Sequence, residues 1–279
     1  MSNVSKSSHQ ATAEIMYAMS LVSAIARWRR LMLGALLVLI LGMLFSGGEQ
    51  LQPPQQPHIA VVEVEGVLKS TQEPWYQALE SVYKQPSAKA LILRVNSPGG
   101  VVHVADAAHR LLLSIHERMP VVAVVEQQAA SAAYLLASQS DVIFANEMSI
   151  VGSIGVVSSV VVVKDLLNKL GINYQASNKI QTITDIPFLG MTPFIKKYLY
   201  MAGEDSYAWF RHLVKEGRGL SQSQLDRVVD GKIFLARDGV KLGLVDGIGG
   251  MNDARSWLIQ KQFRGQWLPE FSYTERAGV

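Results

Sequence analysis

Short runs of β-branched and other apolar residues alternate with helical patterns over most of the chain after residue 58. The runs cover residues 59–64, 90–95, 121–125 and 142–145. Each is followed by an amphipathic or small-residue stretch, including a predicted helix over residues 104–118. Strands that alternate with helices in this way indicate an α/β domain.

Helical patterns dominate the later part of the chain. Residues 192–215 contain no proline after Pro193, and they predict one long helix that starts there. Residues 220–229 and 236–242 predict two more helices. We therefore expect a single folded domain over residues 58–279.

The most apolar segment, residues 31–48, contains no charged residue. As a helix it is just long enough to span a hydrocarbon core of about 30 Å. Four basic residues precede it: Lys6, Arg27, Arg29 and Arg30. The next basic residue is Lys69. This bias predicts a cytoplasmic segment over residues 1–30, one transmembrane helix over residues 31–48 and an extracytoplasmic domain.

Residues 49–57 are rich in glutamine and proline and show no hydrophobic period, so they predict an extended linker. A cleaved signal peptide is the alternative interpretation of the N-terminal segment. It fits less well, because a leader of this length is long and no small-x-small cleavage site precedes Glu49.

Composition excludes several classes of function. The chain has no cysteine, which excludes disulfides, thiol catalysis and thiolate metal sites. Its net charge of +3 is not gathered into a basic cluster with interleaved aromatic residues after residue 60, so we expect no nucleic-acid partner. We expect neither a metal nor an organic cofactor.

One serine is placed as acyl-transfer chemistry requires. Ser131 follows a predicted buried strand and has alanines on both sides, so the turn into the next helix can be tight. The glycine pair Gly99–Gly100 also follows a strand and leaves backbone N–H groups unobstructed. The N–H groups of Gly100 and Ala132 could converge on one oxyanion. The alternative is that the alanine-rich run is only a small-residue helix start packed on the sheet.

A serine nucleophile also needs a base. The chain has six histidines: His9, His58, His103, His109, His116 and His212. None lies in a polar motif, and a solvated helix face explains them better than a Ser-His-Asp triad does. The remaining route is a serine–lysine dyad, in which burial lowers the pKa of the lysine.

The chain contains several motifs in a fixed order. The main motifs are IAVVEVEG at 59–66, RVNSPGG at 94–100, ASAAY at 130–134 and VGSIGV at 151–156. Further motifs are GRG at 217–219, DGK at 230–232 and GLVD at 243–246. Together they resemble the signal peptide peptidase A, or protease IV, family of membrane-bound serine proteases. The resemblance covers about residues 58–258, in order and with compatible spacing.

The resemblance implies a fold related to the crotonase and Clp protease group and a homo-oligomer arranged as a ring or dome. It also implies a single-pass protein of the bacterial inner membrane, with a periplasmic domain that cleaves hydrophobic peptides such as released signal peptides. By residue, it implies Ser131 as nucleophile, Gly100 as oxyanion-hole glycine and Ser153 as the serine that contacts the base. Ala132 and Ala133 replace two glycines that are usual in the family.

The family's lysine base lies about fifty residues after the nucleophile, where a gapless alignment places Thr182 or Ile183; Lys179 is the lysine nearby. In one interpretation Lys179 reaches Ser131, within one chain or across a subunit boundary, and the protein is an active protease. In the other, the base is lost and the domain is a peptide-binding or scaffold pseudoprotease. A crotonase-like acyl-CoA enzyme is a third possibility, which the membrane anchor and the Ser131 turn disfavour.

Overall fold

The structure is a computed structural model that describes Met19, Ile25 and residues 27–40, 54–159, 161–172 and 193–274. The chain divides into two compact units, residues 1–52 and 53–279.

In the first unit, residues 27–40 form helix α1. Within the described part of the chain, we find no helix with the length and apolar character needed to cross a membrane. Residues 41–48 of the predicted transmembrane helix, residues 49–53 of the predicted linker and most of the segment 1–30 lie outside the described residues.

The second unit contains strands and helices in alternation. The strands are β1 (His58–Leu68), β2 (Ala88–Gly100), β3 (Val121–Ala130), β4 (Val142–Ala145), β5 (Ile150–Gly152), β6 (Ile233–Leu235), β7 (Gly247–Ile248) and β8 (Glu270–Ser272). The helices are α2 (Pro74–Lys84), α3 (Val102–His116), α4 (Ala132–Ala137), α5 (Lys164–Lys169), α6 (Pro193–Arg218), α7 (Gln222–Leu225), α8 (Ala236–Leu242) and α9 (Met251–Trp257), and α9 continues as a π-helical turn, Leu258–Gln262.

The strands form one sheet in the order β6-β5-β3-β2-β1-β8, and β4 pairs with both β3 and β7. The pairs are parallel except for β5 with β6, which is antiparallel. The α/β class that the alternating pattern predicts is therefore confirmed.

The central strands are buried on both faces, as is usual for parallel strands. On β1, Ala60 and Val62 face the larger hydrophobic cluster, which includes α2, α3 and α4. Ile59 and Val61 face a smaller cluster that includes α9 and Leu258. The two clusters hold the sheet between helical layers, and the continuous apolar runs in the sequence reflect this burial.

Three parallel strands bring the residues of interest to one edge of the sheet. Ser97 on β2 pairs with Ala129 on β3, and Ala130 pairs with Gly152 on β5. Because the carboxyl ends of adjacent parallel strands lie together, the ends of β2, β3 and β5 meet at this edge.

The helix predicted over residues 220–229 is shorter in the structure. Helix α7 ends at Leu225, after which Arg227 and Val228 donate to carbonyls three residues back, those of Gln224 and Leu225. Leu225, Val228 and Val229 are all buried. Their spacing has a helical period, but successive turns rather than one helix bring these side chains into the core.

Tyr134 ties α4 to the chain segment that follows α8. Its side chain is fully buried, and its hydroxyl donates to the carbonyl of Leu244 at 2.8 Å. Burial raises the pKa of Tyr134, which keeps the hydroxyl protonated as a donor. Nearby, Arg218 donates to Asp246, whose other carboxylate oxygen accepts from the N–H of Ile143. The Tyr134 bond thus holds α4 to the segment after α8, and the Asp246 bonds hold that segment to β4 and α6.

We expect Tyr134→Phe to destabilise the folded domain by about 1–3 kcal/mol, because it removes a buried donor and leaves the Leu244 carbonyl without that partner. Urea unfolding measures the change. Tyr200→Phe is the control, since Tyr200 is exposed on α6. Equal unfolding midpoints for the two variants would contradict the anchoring role of Tyr134.

Candidate active site

Ser131 forms a sharp turn between β3 and α4. Its φ of 53° and ψ of −127° lie in a region that residues other than glycine rarely adopt. The N–H of Ser131 donates to the carbonyl of Gly152 at 2.9 Å, and its carbonyl accepts from Leu135 at 3.0 Å. A non-glycine residue in such a conformation costs roughly 1–3 kcal/mol, so the surrounding bonds and packing must hold it there.

Gly99 packs directly against this turn. It has a φ of 98°, and a Cβ on it would lie 2.7 Å from the Ala130 carbonyl oxygen, 2.8 Å from Ser131 Cβ and 2.9 Å from the Ala132 nitrogen. A Cβ on the next residue, Gly100, would overlap the backbone of Leu68. Gly99 therefore lets the end of β2 approach the Ser131 turn, and Gly100 lets it approach the end of β1, with no side chain between them.

A cavity of about 250 Å³ opens beside Ser131. Four residues singled out in the sequence line it: Gly100, Ser131, Ala132 and Ser153. Its other walls come from small and apolar residues: Val102, Ala105, Leu135, Gly155, Val156, Val157, Trp209, Phe210 and Gly231. None of these described lining residues carries a charged side chain. The structure thus brings the predicted nucleophile, oxyanion donors and base-contacting serine into one apolar site.

Ser153 has the same unusual backbone as Ser131, with a φ of 53°. Its N–H donates to the carbonyl of Lys232 at 2.7 Å. This bond continues the antiparallel pairing of β5 with β6, in which Gly152 lies opposite Ile233. Two positive-φ serines on neighbouring chain segments therefore border the same cavity.

The predicted base, Lys179, lies outside the described residues, as do the alignment positions Thr182 and Ile183. The histidines of α3 do not line the cavity. His116 contacts Asp141 at 3.3 Å, and His109 is buried against the ring of Trp209.

Trp209 and Phe210 of α6 are cavity residues that the sequence reasoning missed. Apolar residues at helical spacing have the same pattern whether they fill a core or line a site, so no signal in the sequence separates them.

His109 packs edge-on to Trp209, with ring centroids 6.4 Å apart. It is 7% exposed, and its Nδ1 has no hydrogen-bond partner among the described residues.

A family model for peptidase family S49 matches residues 114–263, which include Ser131, Ser153 and both aromatic wall residues. This match covers more than half of the chain. The chain belongs to peptidase family S49.

Several similar proteins have names that describe them as proteases or peptidases. A putative protease of Methanocaldococcus jannaschii is 39% identical over 72% of this chain and 65% of its own length. Protease 4 of Haemophilus influenzae is 29% identical over 70% of this chain and 33% of its own length. A putative signal peptide peptidase SppA of Enterococcus faecium is 31% identical over 66% of this chain and 54% of its own length. The chain thus spans less than two thirds of each of these relatives. The predicted resemblance to the signal peptide peptidase A family is confirmed.

We expect Gly99→Ala to destabilise this S49 domain by roughly 2 kcal/mol or more, because alanine adds both a positive-φ penalty and an overlap with the Ser131 turn. Gly66→Ala is the matched control. Gly66 also has a positive φ, of 71°, but a Cβ on it would meet nothing within 4 Å. Urea unfolding of the two variants isolates the overlap, and equal destabilisation would contradict the close approach.

His109 should make the stability of the domain depend on pH. Burial lowers its pKa, with a smaller upward contribution from Asp106 and a downward one from Arg110. The unfolded histidine, with a pKa of about 6.5, therefore binds protons more readily than the folded one as pH falls. The stability that depends on a neutral His109 is therefore fully present above about pH 6.5, and it declines as the pH falls below that value.

In His109→Leu this decline should be reduced relative to the wild type, as measured by urea unfolding between pH 7.5 and pH 5. His103→Gln, on the exposed side of the same helix, is the control. An unchanged pH dependence in His109→Leu would show that His109 does not cause the decline.

Proposed function

We propose that this protein is a serine endopeptidase that cleaves hydrophobic peptides, such as released signal peptides, through an acyl-enzyme on Ser131. The observation that carries the proposal is the positive-φ turn at Ser131, which packs against Gly99 and faces an apolar cavity. Membership of peptidase family S49 and the protease names of its relatives support it.

In the proposed reaction, Ser131 Oγ attacks the scissile carbonyl carbon while a base removes its proton. The negative charge that develops on the carbonyl oxygen is stabilised by the N–H groups of Gly100 and Ala132. The base then protonates the leaving amine, and water hydrolyses the acyl-enzyme by the same steps. Ala132 is the first residue of α4, where backbone N–H groups have no partner within the helix.

The proposed base is Lys179, and Ser153 is proposed to contact it. A lysine serves as a base only when its pKa is lowered enough for a neutral fraction to exist near neutral pH. The apolar walls of the cavity favour the neutral form of any amine that enters it. The pseudoprotease in which no base reaches Ser131 remains the alternative outcome of the labelling experiment below.

The preference for hydrophobic peptides follows from the walls of the cavity. Val102, Leu135, Trp209 and Phe210 surround the space beside Ser131, so an apolar side chain gains by leaving water there. A second cavity of about 470 Å³ shares Gly155 and its neighbours with the first. The two cavities are therefore adjacent, and we propose that a bound peptide extends from the first into the second.

We also propose that the protein is a homo-oligomer attached to the bacterial inner membrane through residues 31–48, with this domain in the periplasm. Exposed apolar residues follow the active-site segment, and Val157 and Val161 are 92% and 71% exposed. Leu166 and Leu170 continue this exposed apolar surface on and after α5. Such surfaces are typical of contacts with another protein or subunit.

A fluorophosphonate probe tests the proposed chemistry, because it phosphonylates a serine that a nearby base activates. We expect intact-mass spectrometry to show one adduct on the wild type and none on Ser131→Ala. Lys179→Ala should slow labelling by about 10²–10⁴-fold if Lys179 is the base. Lys84→Ala, at an exposed position on α2 away from the cavity, is the matched lysine control.

If Ser131→Ala loses the adduct but Lys179→Ala is labelled at the wild-type rate, a group other than Lys179 is the base. An unlabelled wild type that still folds contradicts the protease and leaves the peptide-binding pseudoprotease.

A further inference from the structure

We propose that Ser97 is a positioning residue, whose hydroxyl fixes the glycine pair Gly99–Gly100 against the Ser131 turn. The inference rests on the proposed function for its effect on rate. It goes beyond that function, because Ser97 lies behind the groups that would touch the substrate and is absent from the lining of the cavity.

The Ser97 hydroxyl connects two strands and the glycine turn. Its side chain is completely buried. Oγ donates to the carbonyl of Gly66 on β1 at 2.6 Å and accepts from the N–H of Gly99 at 3.1 Å. One hydroxyl therefore links the end of β1 to the residue that packs against Ser131.

The backbone ladder is interrupted at this place. Between the pairs Glu65–Asn96 and Val67–Gly99, β1 has one intervening residue and β2 has two. The register of β2 with β3 also shifts just before Ser97. Pro98 has no N–H to donate. The bonds from Ser97 Oγ therefore tie the strands together where regular pairing is lost.

A shift of the Gly99–Gly100 segment would move the proposed nucleophile and oxyanion donor relative to each other. Gly99 is in close contact with Ala130, Ser131 and Ala132, and Gly100 lines the cavity beside Ser131. Movement of Gly99 changes the distance between the Gly100 N–H and the position of the oxyanion. An N–H group stabilises an oxyanion only within a narrow range of distance. A misplacement of about 1 Å can therefore cost on the order of 10²-fold in rate.

A merely structural hydroxyl would affect stability and not rate, and the chain offers a matched control for that case. Ser138 is also fully buried. Its Oγ donates to the Leu135 carbonyl at 2.7 Å and accepts from Gln139 at 2.9 Å. It follows the C-terminal end of α4, whereas Ser131 precedes the start of this helix. Ser138→Ala thus removes a similar pair of bonds without touching the glycine pair.

The experiment compares wild type, Ser97→Ala, Ser97→Thr and Ser138→Ala. The measurements are thermal unfolding, the second-order rate of fluorophosphonate labelling, and kcat and KM on a quenched hydrophobic peptide. We expect both alanine variants to unfold at lower temperature. Ser97→Ala alone should lower kcat and the labelling rate, by about tenfold to a hundredfold, with KM changed by no more than about twofold. Ser97→Thr keeps the hydroxyl and should restore most of the rate.

Equal rates in the two alanine variants would overturn the positioning role, because the effect would then follow from stability alone. An unchanged rate in Ser97→Ala would overturn it as well.

Hydrogen–deuterium exchange tests the same contact without requiring activity. In Ser97→Ala, amides of residues 99–102 should exchange about five- to tenfold faster, since the Gly99 N–H loses the Ser97 hydroxyl as an acceptor. Ser138→Ala should leave this segment unchanged. If the probe fails to label the wild type, the proposed function is wrong, yet the contact is still judged by exchange. Unchanged exchange in Ser97→Ala overturns it whatever the activity.

Discussion

The close approach of Gly99 to the Ser131 turn is the constraint on which the candidate site depends. It requires β2 and β3 to be neighbouring parallel strands that end at the same edge of the sheet. It also requires a residue without a side chain at position 99, since a Cβ would lie within 3 Å of the turn. With this contact in place, Gly100 and Ser131 border one cavity.

The rest of the domain holds this contact rigid. Tyr134 forms a buried hydrogen bond to the Leu244 carbonyl, which holds α4, the helix that follows Ser131, against the segment after α8. Gly152 accepts from the N–H of Ser131 and fixes the turn from β5. The strained conformation of Ser131 is therefore set by bonds to two separate parts of the sheet and its helices. Such over-determined strain is a feature of functional sites, and it supports the interpretation of Ser131 as a reacting residue.

The sequence predicted the α/β class and singled out four residues that border the cavity, but it did not indicate the aromatic wall of that cavity. Strand 142–145 agrees with the structure in both bounds, because its apolar run is short and clearly delimited. β2 continues to Gly100, beyond its predicted end at Val95, because a serine–proline–glycine segment has the composition of a turn even where it remains in the sheet.

Of the residues that border the cavity, Gly100, Ser131 and Ala132 could be found from local motifs, since each follows or lies near the end of a strand, and Ser153 from the family resemblance. Trp209 could not, because its contact with the site depends on how α6 packs. Ser97 could not be distinguished from a turn serine, because its two hydrogen bonds depend on an irregular register with β1. Tertiary packing, rather than sequence pattern, decides these positions.

The proposed acyl-transfer chemistry at Ser131 is best tested by a structure of the protein after reaction with a hydrophobic peptide aldehyde, whose adduct mimics the tetrahedral intermediate. We expect a covalent bond from Ser131 Oγ to the aldehyde carbon, with the resulting oxygen about 2.7–3.1 Å from the Gly100 nitrogen. The first side chain of the peptide should lie against Trp209. A bond to another residue, or an oxygen that points away from Gly100, would show that Ser131 and Gly100 do not have these roles.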